Sequence, residues 1–237
     1  MNQRIAAQVS LIMLLLLFSP AAHAGTFPDT DQHWADGDIV ILYHSGMSDG
    51  TPTVIDGEEI NLYYPDKNLT RAEFAKLISR SLHLTKYYTD SDVYESISAQ
   101  ITNNPFTDIS KNDWFYQDVL ITKAAGIMTG LPDYTFLPEQ FITREETAQV
   151  IVNYCNFINN YRNEGNKLVF ETGRERYTDD SAIAAWAKDA VYTFPAIQGS
   201  TGNNVMQGYP DGSFQPSGYL TRAEVSAIMV RLCEIRG

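Results

Sequence analysis

The sequence predicts an all-α protein built from three consecutive helix-loop-helix repeats. Three features recur in the same order: a tryptophan, a pair of small residues four positions apart, and a Thr-Arg-x-Glu motif. The tryptophans are Trp34, Trp114 and Trp186. The small-residue pairs are Gly46/Gly50, Gly126/Gly130 and Asn204/Gly208, and the motifs begin at Thr70, Thr143 and Thr221. Features that repeat together in this way indicate one structural unit copied three times.

One helix of each repeat begins at the Thr-Arg-x-Glu motif. Thr-x-x-Glu is a capping box, in which the threonine and glutamate side chains accept hydrogen bonds from each other's backbone amides. Apolar residues then follow at spacings of three and four, in the first repeat Phe74, Leu77, Ile78 and Leu82. This periodicity predicts an amphipathic helix with one buried face.

A second helix of each repeat contains the tryptophan. We predict these helices over 34–43, 114–125 and 186–194, each ending near the first residue of the small pair. Glycine suits a helix end because it adopts the left-handed backbone without strain, and asparagine is the next best residue there. The three long stretches between small pair and threonine are loops.

The spacing of these features divides the chain. In the first, second and third copies, the tryptophan precedes the first residue of the small pair by 12, 12 and 18 positions. The first residue of the small pair precedes the motif threonine by 24, 17 and 17 positions. The third copy therefore has an insertion near 195–200, and the first has one within 51–62, where Asp56-Gly57 predicts a small β-hairpin. We predict repeats at 25–84, 106–157 and 177–237, with linkers at 85–105 and 158–176. Within the linkers, 93–101 favours an extra helical turn and 167–170 a short strand.

The first 24 residues have the features of a secretory signal peptide. Arg4 supplies a positive charge, Leu11 to Phe18 form an apolar stretch, and Ala22-His23-Ala24 is typical of a cleavage site. The apolar stretch is too short to span a bilayer. We therefore expect residues 1–24 to be removed on export, and no membrane span in the secreted remainder.

The charge of the chain argues against two classes of partner. It has 29 acidic and 17 basic residues, a formal net charge of −12. Nucleic acids and anionic membrane surfaces are bound mainly through clustered lysine and arginine, and the sequence has no basic cluster. An anionic ligand would have to be held by local positive charge.

Taken together, these motifs resemble the S-layer homology (SLH) repeat. The resemblance rests on an aromatic-x-Asp motif, the tryptophan, Gly-x-x-x-Gly, the Gly-Tyr-Pro-Asp-Gly-Ser-Phe-x-Pro loop at 208–216 and Thr-Arg-Ala-Glu. It covers nearly all of the chain after residue 24. The resemblance implies a pseudo-threefold arrangement around a central three-helix bundle and a location at the bacterial cell wall or S-layer. It also implies non-covalent binding of acidic, often pyruvylated, secondary cell-wall polysaccharide in grooves between the repeats.

The resemblance also implies which residues line these grooves. Carried over to this chain they are Arg71, Arg144 and Arg222; Trp34, Trp114 and Trp186; Asp29, Asp108 and Asp179; and Gly46 and Gly126. We expect Arg222 to contribute most, because its repeat keeps both the loop and the motif unaltered. In the second copy we expect Glu145 to neutralise part of the charge of Arg144.

The residue types themselves leave alternatives open. An arginine in the first turn of a helix is slightly unfavourable, because that end of the helix dipole is positive. Its presence in all three copies favours binding of a carboxylate or phosphate, whose geometry its planar fork matches. The alternative is a salt bridge between repeats, with the motif aspartates as partners. For the tryptophans, burial in the core is the more typical outcome and stacking on a sugar is the alternative. The aspartates are typical caps or turn residues, and the glycines typical helix ends.

The two cysteines, Cys155 and Cys233, each follow the threonine of their motif by 12 residues. If the three long helices surround one axis, the two side chains are neighbours and could form a disulfide. The alternative is two small, buried apolar residues.

The sequence contains no convincing catalytic motif. Gly46 to Gly50 match the Gly-x-Ser-x-Gly pattern of hydrolases. The second copy has Met128 in place of Ser48, however, so the glycines belong to the repeat. We expect a protein that is not an enzyme and has no cofactor and no metal. Its expected partners are secondary cell-wall polysaccharide and other surface proteins. The alternative function is that of an S-layer or surface-assembly component, or an adaptor, acting mainly through protein–protein contacts.

Overall fold

The computed structural model of the protein describes residues 26–83, 92–162, 176–193 and 204–234. Within these ranges the chain forms seven α-helices, two short 3₁₀ helices and one two-stranded antiparallel sheet. The protein is therefore mainly α-helical, as predicted. The predicted signal peptide at 1–24, the strand at 167–170 and the insertion at 195–200 lie outside the described residues.

The elements fall into two recurring kinds of helix and one insertion. In chain order they are α1 (Asp36–His44), β1 (Thr51–Ile55), β2 (Glu58–Leu62), α2 (Arg71–His83), α3 (Val93–Ser98), α4 (Tyr116–Ala124), α5 (Arg144–Arg162), α6 (Lys188–Thr193) and α7 (Arg222–Glu234). We call α1, α4 and α6 the Trp helices, and α2, α5 and α7 the cap helices. Helix α3 confirms the helical turn predicted in the first linker.

Each cap helix starts with the predicted capping box. In the first repeat the Thr70 amide donates to Glu73 Oε2 at 2.8 Å, and the Glu73 amide donates to Thr70 Oγ1 at 3.2 Å. The corresponding distances are 2.9 and 3.3 Å in the second repeat and 2.8 and 3.2 Å in the third. Amides that the helix cannot pair are thereby satisfied, which fixes where each cap helix begins.

The first two Trp helices end at glycine, as predicted. Gly46 and Gly126 have φ angles of +75° and +70°. The amide after each glycine donates five residues back, from Met47 to the Leu42 carbonyl at 3.0 Å and from Ile127 to the Thr122 carbonyl at 2.9 Å. These are Schellman motifs, in which the left-handed residue turns the chain out of the helix.

The insertion of the first repeat is the predicted hairpin. Strands β1 and β2 pair antiparallel from Thr51 opposite Leu62 to Ile55 opposite Glu58. The two turn residues, Asp56 and Gly57, have φ angles of +53° and +85°. Positive φ at both central positions is the signature of the type I′ turn that Asp-Gly favours.

Each cap helix packs mainly against the Trp helix of the following repeat. Helix α2 lies on α4, α5 lies on α6, and α7 of the third repeat lies on α1 of the first. Short backbone bridges join the repeats in the same cyclic order, Thr70 with Phe141, Thr143 with Tyr219, and Asn68 with Thr221. The two helices of one sequence repeat thus belong to different packing units, and the contacts close into a ring.

The apolar faces of all three repeats contribute to one hydrophobic core. Buried aromatic residues such as Phe74, Phe136 and Phe214 lie within it. A smaller cluster joins the first repeat to the third and includes Phe27, Tyr63 and Ala223. The Tyr63 hydroxyl is buried there but lies 2.7 Å from Ser226 Oγ, so its polar atom is satisfied.

Candidate functional site

The three motif arginines lie between the repeats and are nearly buried. Arg71, Arg144 and Arg222 expose 7%, 5% and 8% of their surface. Each Nε donates a 2.8 Å hydrogen bond to a backbone carbonyl of the next repeat in the ring. The acceptors are Phe136, Phe214 and Tyr63 in that order. The arginines therefore join neighbouring repeats as well as standing at helix starts.

Two of the arginines form ion pairs with a capping-box glutamate. Arg71 Nη1 lies 2.6 Å from Glu146 Oε1, and Arg222 Nη1 lies 2.8 Å from Glu73 Oε1. The predicted alternative of a salt bridge between repeats is correct for these two, but the partner is glutamate and not aspartate. Each glutamate uses its second oxygen for the capping box, so one carboxylate serves both the helix start and the contact between repeats.

Arg144 is enclosed in a different way. Its Nη2 donates to the Gln207 carbonyl at 3.0 Å, and the rings of Tyr209 and Phe214 lie 4.6 and 5.0 Å from its guanidinium carbon. Burial lowers the pKa of Arg144. The expectation that Glu145 neutralises Arg144 is wrong, because Glu145 Oε2 accepts a hydrogen bond from the Ala184 amide at 2.9 Å.

The motif aspartates hold the loop that precedes each cap helix. Asp29 accepts hydrogen bonds from the Tyr63 amide at 2.9 Å and the Tyr64 amide at 2.6 Å. The corresponding bonds are from Phe136 and Leu137 to Asp108, at 2.8 and 2.7 Å, and from Phe214 and Gln215 to Asp179, at 2.9 and 2.7 Å. The first residue of each loop pair is the one whose carbonyl accepts from an arginine. These carboxylates thus position the arginine's acceptor, which indicates a structural role; a ligand contact by them stays a prediction.

The tryptophans are exposed, so the interpretation of them as core residues is wrong. Trp34, Trp114 and Trp186 expose 62%, 58% and 55% of their surface. Each stands two residues before its Trp helix begins, where the side chain leaves the buried face. The ammonium of Lys76, on α2, lies 5.3 Å from the centre of the Trp114 ring. An exposed indole beside a cation can contact both a sugar face and an acidic substituent.

One cavity brings two of the predicted site residues together. It has a volume of about 190 Å³ and is lined by Arg222 and Trp114, together with Ser48, Asp49, Thr51 and Lys76. We call this cavity and its rim the Arg222 groove. Its volume is below the range of about 300–1,000 Å³ typical of small-molecule sites, so it would hold one group of a longer ligand. Gly46 and the three motif aspartates are not among its lining residues.

The charges in the Arg222 groove are coupled. Asp49 Oδ2 lies 3.2 Å from Lys76 Nζ and 2.7 Å from Arg80 Nη1. Partial burial raises the pKa of Asp49, but the hydrogen bonds and charges of Arg80 and Lys76 outweigh it and bring the pKa below its usual value. Lys76 and Arg80 share this aspartate, and Arg222 is paired with Glu73, which also lines the cavity.

Sequence reasoning missed Lys76, Arg80 and Asp49. A signal was present in the comparison of the copies, because the fifth residue after the motif arginine is Lys76 in the first repeat, Gln149 in the second and Ala227 in the third. The hydrolase-like serine has no catalytic partner in the described part of the chain, and the Ser48 hydroxyl donates weakly to the Asp49 carbonyl at 3.4 Å.

Cys155 is a free thiol in the structure, and burial raises its pKa to about 12. The structure shows no disulfide at Cys155, and the side chain of Cys233 lies outside the described residues. A thiol with so high a pKa is almost entirely protonated at neutral pH, which makes it a poor nucleophile.

Comparison with known proteins places these features in one family. The S-layer homology domain pattern matches residues 26–75, 105–148 and 189–226. The chain is 27% identical over 209 residues to an exoglucanase of Acetivibrio thermocellus, covering 88% of this chain and 16% of the enzyme. It is 26% identical over 174 residues to the cellulosome-anchoring protein of that organism (73% of this chain, 34% of the relative). It is 30% identical over 154 residues to the S-layer protein EA1 of Bacillus anthracis (64% of this chain, 16% of the relative).

The chain spans only a small part, 10% to 22%, of the large enzymes that it resembles. Across the four described ranges, none of the helices has both the length and the apolar character needed to cross a bilayer.

Proposed function

Because the chain belongs to the S-layer homology domain family, we propose that it holds non-covalently to the cell wall by binding acidic secondary cell-wall polysaccharide, including pyruvylated chains. The protein is secreted and associated with the cell wall, in keeping with its family and with relatives named as surface-layer and cellulosome-anchoring proteins. The proposed contact is the Arg222 groove.

The observation that supports this proposal most is the convergence of three different repeats on one cavity. Lys76 comes from the first repeat, Trp114 from the second and Arg222 from the third. The indole offers a flat apolar surface for a sugar ring, and the two cations offer charge for a carboxylate at its edge. Among the described residues, Arg222 Nη2 has no hydrogen-bond acceptor, so its two N–H groups remain for a ligand.

We extend the proposal to the arrangement of the repeats. The cyclic order of the arginine contacts, the backbone bridges and the helix packing is what a pseudo-threefold axis would produce. A central bundle of cap helices is supported by the hydrogen bond of 2.9 Å from Ser81 on α2 to the Tyr154 hydroxyl on α5. In this arrangement Trp34 and Trp186 would stand beside two further grooves, as Trp114 stands beside the first.

Wall sedimentation tests the proposal. Purified protein is pelleted with isolated walls before and after removal of the secondary polysaccharide, using the wild type, Lys76→Ala and Trp114→Ala. The matched controls are Gln149→Ala and Trp186→Ala, which alter the same positions of the next repeat. We expect pelleting to need the polysaccharide and to fall more in the first pair of variants than in the second. Equal pelleting with stripped walls would refute polysaccharide binding.

The folding of these variants is checked by thermal unfolding. Lys76 and Trp114 have partly exposed side chains, and substitutions at such positions usually change stability by no more than about 1 kcal/mol. Binding that depends on Lys76 should also weaken with added salt, because the charges of the groove are accessible to solvent ions.

A second candidate function, assembly of copies of this chain at the surface, is favoured by the hairpin. Val54 and Ile55 expose 72% and 42% of their surface, and a two-stranded sheet has unpaired edges on both sides. Exposed apolar edge strands promote pairing with another chain. Sedimentation velocity over a range of concentrations would show association that Val54→Lys abolishes. A monomer at all concentrations would exclude this function.

A further inference from the structure

The residue after the second glycine differs in size among the three repeats. It is Thr51 in the first, Leu131 in the second and Tyr209 in the third. The preceding glycines occupy equivalent places, because a Cβ on each would meet the ring of the aromatic-x-Asp motif of its own repeat. The distances would be 2.3 Å from Gly50 to Phe27, 2.2 Å from Gly130 to Phe106 and 2.5 Å from Gly208 to Tyr177. The side chain that follows therefore leaves the backbone from a corresponding point in each repeat.

In the third repeat this side chain covers an arginine. The Tyr209 ring lies 4.6 Å from the guanidinium carbon of Arg144, and the Phe214 ring lies 5.0 Å from the same atom. Carbonyl oxygens of Phe214 and Gln207 accept hydrogen bonds from Nε and Nη2, at 2.8 and 3.0 Å. Two rings and two carbonyls thus enclose the group, and a ligand could reach it only by displacing the phenol ring.

In the first repeat the corresponding position leaves the arginine facing a cavity, although Arg222 exposes only 8% of its surface. Arg222 has two of the same inner contacts, with its Nε 2.8 Å from the Tyr63 carbonyl and its guanidinium carbon 4.7 Å from the Tyr63 ring. Its Nη1 differs from Arg144 in being paired with Glu73 at 2.8 Å. Thr51, where the other repeat has tyrosine, lines the cavity together with Arg222. A threonine side chain is too short to cover the guanidinium as tyrosine does.

We infer that this position determines which motif arginine can take an acidic ligand: Tyr209 closes the groove of Arg144, and Thr51 keeps the Arg222 groove open. The inference rests on the proposed function, since it takes an acidic glycan as the ligand of the open groove. The phenol ring over Arg144 supplies part of the contact that an anion would otherwise give, because aromatic faces attract cations.

Exchange of the two residues tests the inference in both directions. The variants are Tyr209→Thr and Thr51→Tyr, with Tyr219→Thr as a control for loss of an exposed tyrosine elsewhere. The first measurement needs no glycan: arginine labelling by phenylglyoxal, quantified for each peptide by mass spectrometry. We expect Arg222 to react faster than Arg144 in the wild type. Tyr209→Thr should raise the rate at Arg144 several-fold, and Thr51→Tyr should lower it at Arg222.

The second measurement uses a methyl glycoside that carries a pyruvate ketal, titrated into protein labelled with ¹⁵N at arginine. In the wild type, the glycoside should shift the Nε–H signal of Arg222 but not that of Arg144. In Tyr209→Thr it should shift both signals. Thr51→Tyr should weaken binding by at least about tenfold, which corresponds to about 1.4 kcal/mol. Thermal unfolding identifies any variant that has lost its fold; Tyr209→Leu then replaces Tyr209→Thr, and Thr51→Phe replaces Thr51→Tyr.

The two measurements separate failure of the inference from failure of the proposed function. If Arg144 stays as unreactive in Tyr209→Thr as in the wild type, the inference is overturned, whether or not the glycoside binds. If the labelling rates change as expected but no variant binds the glycoside, Tyr209 does close the groove and the proposed ligand is wrong.

Discussion

Replacing Asp29 with alanine tests whether the motif aspartates hold the repeats together. The carboxylate accepts hydrogen bonds from two consecutive amides, Tyr63 at 2.9 Å and Tyr64 at 2.6 Å. The Tyr63 carbonyl in turn accepts from Arg222 of the third repeat. Loss of the carboxylate should therefore loosen both the loop and the contact between the first and third repeats.

The expected loss of stability follows from these contacts. A hydrogen bond to a charged group contributes about 1.5–3 kcal/mol net, and the Tyr63 amide is partly buried, so it should lose most of this. The Tyr64 amide is exposed and can bond to water instead, so its loss should be smaller, about 0.5–1 kcal/mol. Together we expect about 2–4 kcal/mol. At about 2–4 °C for each kcal/mol in a domain of this size, the melting temperature should fall by roughly 4–16 °C.

Thermal and denaturant unfolding followed by circular dichroism measures this effect. Asp31→Ala is the matched control, because Asp31 is exposed and stands two residues further along the same turn. The control should stay within about 0.5 kcal/mol of the wild type. Asp29→Asn, which keeps one acceptor oxygen, should fall between the two. If Asp29→Ala were as stable as the control, the aspartates would not support the loops and the reasoning would be refuted.

Three further predictions concern stability, each measured by chemical or thermal unfolding. Glu146→Ala removes the capping hydrogen bond that the Thr143 amide donates to the Glu146 side chain, and it leaves the nearly buried Arg71 without its ion-pair partner. It should therefore cost about 2–4 kcal/mol, and an unchanged midpoint would contradict the pairing. Gly130→Ala should destabilise by about 1–3 kcal/mol, because its Cβ would meet a ring at 2.2 Å and its φ is +73°. Gly37→Ala, in a helix with open space around it, should instead stabilise by about 0.5–1 kcal/mol, so equal effects at the two glycines would refute the steric argument. Burial raises the pKa of Asp118, so folding favours its protonated form and its charge costs stability as the pH rises through the folded pKa. Asp118→Asn should therefore unfold at a higher temperature than wild type at pH 7, with a gap that closes toward pH 3, and a gap that widened on acidification would show the opposite sign.

The features that could be predicted from the sequence depend on residues that are close in the chain. The capping boxes, the glycine helix ends and the Asp-Gly hairpin each involve fewer than about six neighbouring residues, whose conformational preferences decide the local structure. The number of repeats could be predicted for the same reason, since each copy carries its own set of these signals.

The tryptophans were misjudged because the start of the Trp helices has no side-chain signal. The residues before α1 and α4, Ala35 and Phe115, provide no side-chain cap. Apolar periodicity alone does not fix a helix start to within two residues. A difference of two residues in the helix start decides whether the tryptophan lies on the buried face of the helix or before the helix begins.

The partners of the arginines could not be predicted because they come from distant parts of the chain. Arg71 and Glu146 are 75 positions apart, and Arg222 and Glu73 are 149 apart. A glutamate that already has a local explanation as a capping residue gives no sign of a second partner. The groove residues Lys76 and Asp49 were missed for a similar reason, since only packing brings them to Trp114.

The ring of contacts has a consequence for how the protein resists force and proteolysis. In an open repeat array the terminal unit has a single neighbour, so unfolding can begin at an end and proceed one unit at a time. Here α7 rests on α1 and Asn68 bridges to Thr221, so each unit has two neighbours and there is no terminal unit to peel away. Tension applied to the chain outside the cell would have to break the contacts with both neighbours before any single repeat came free.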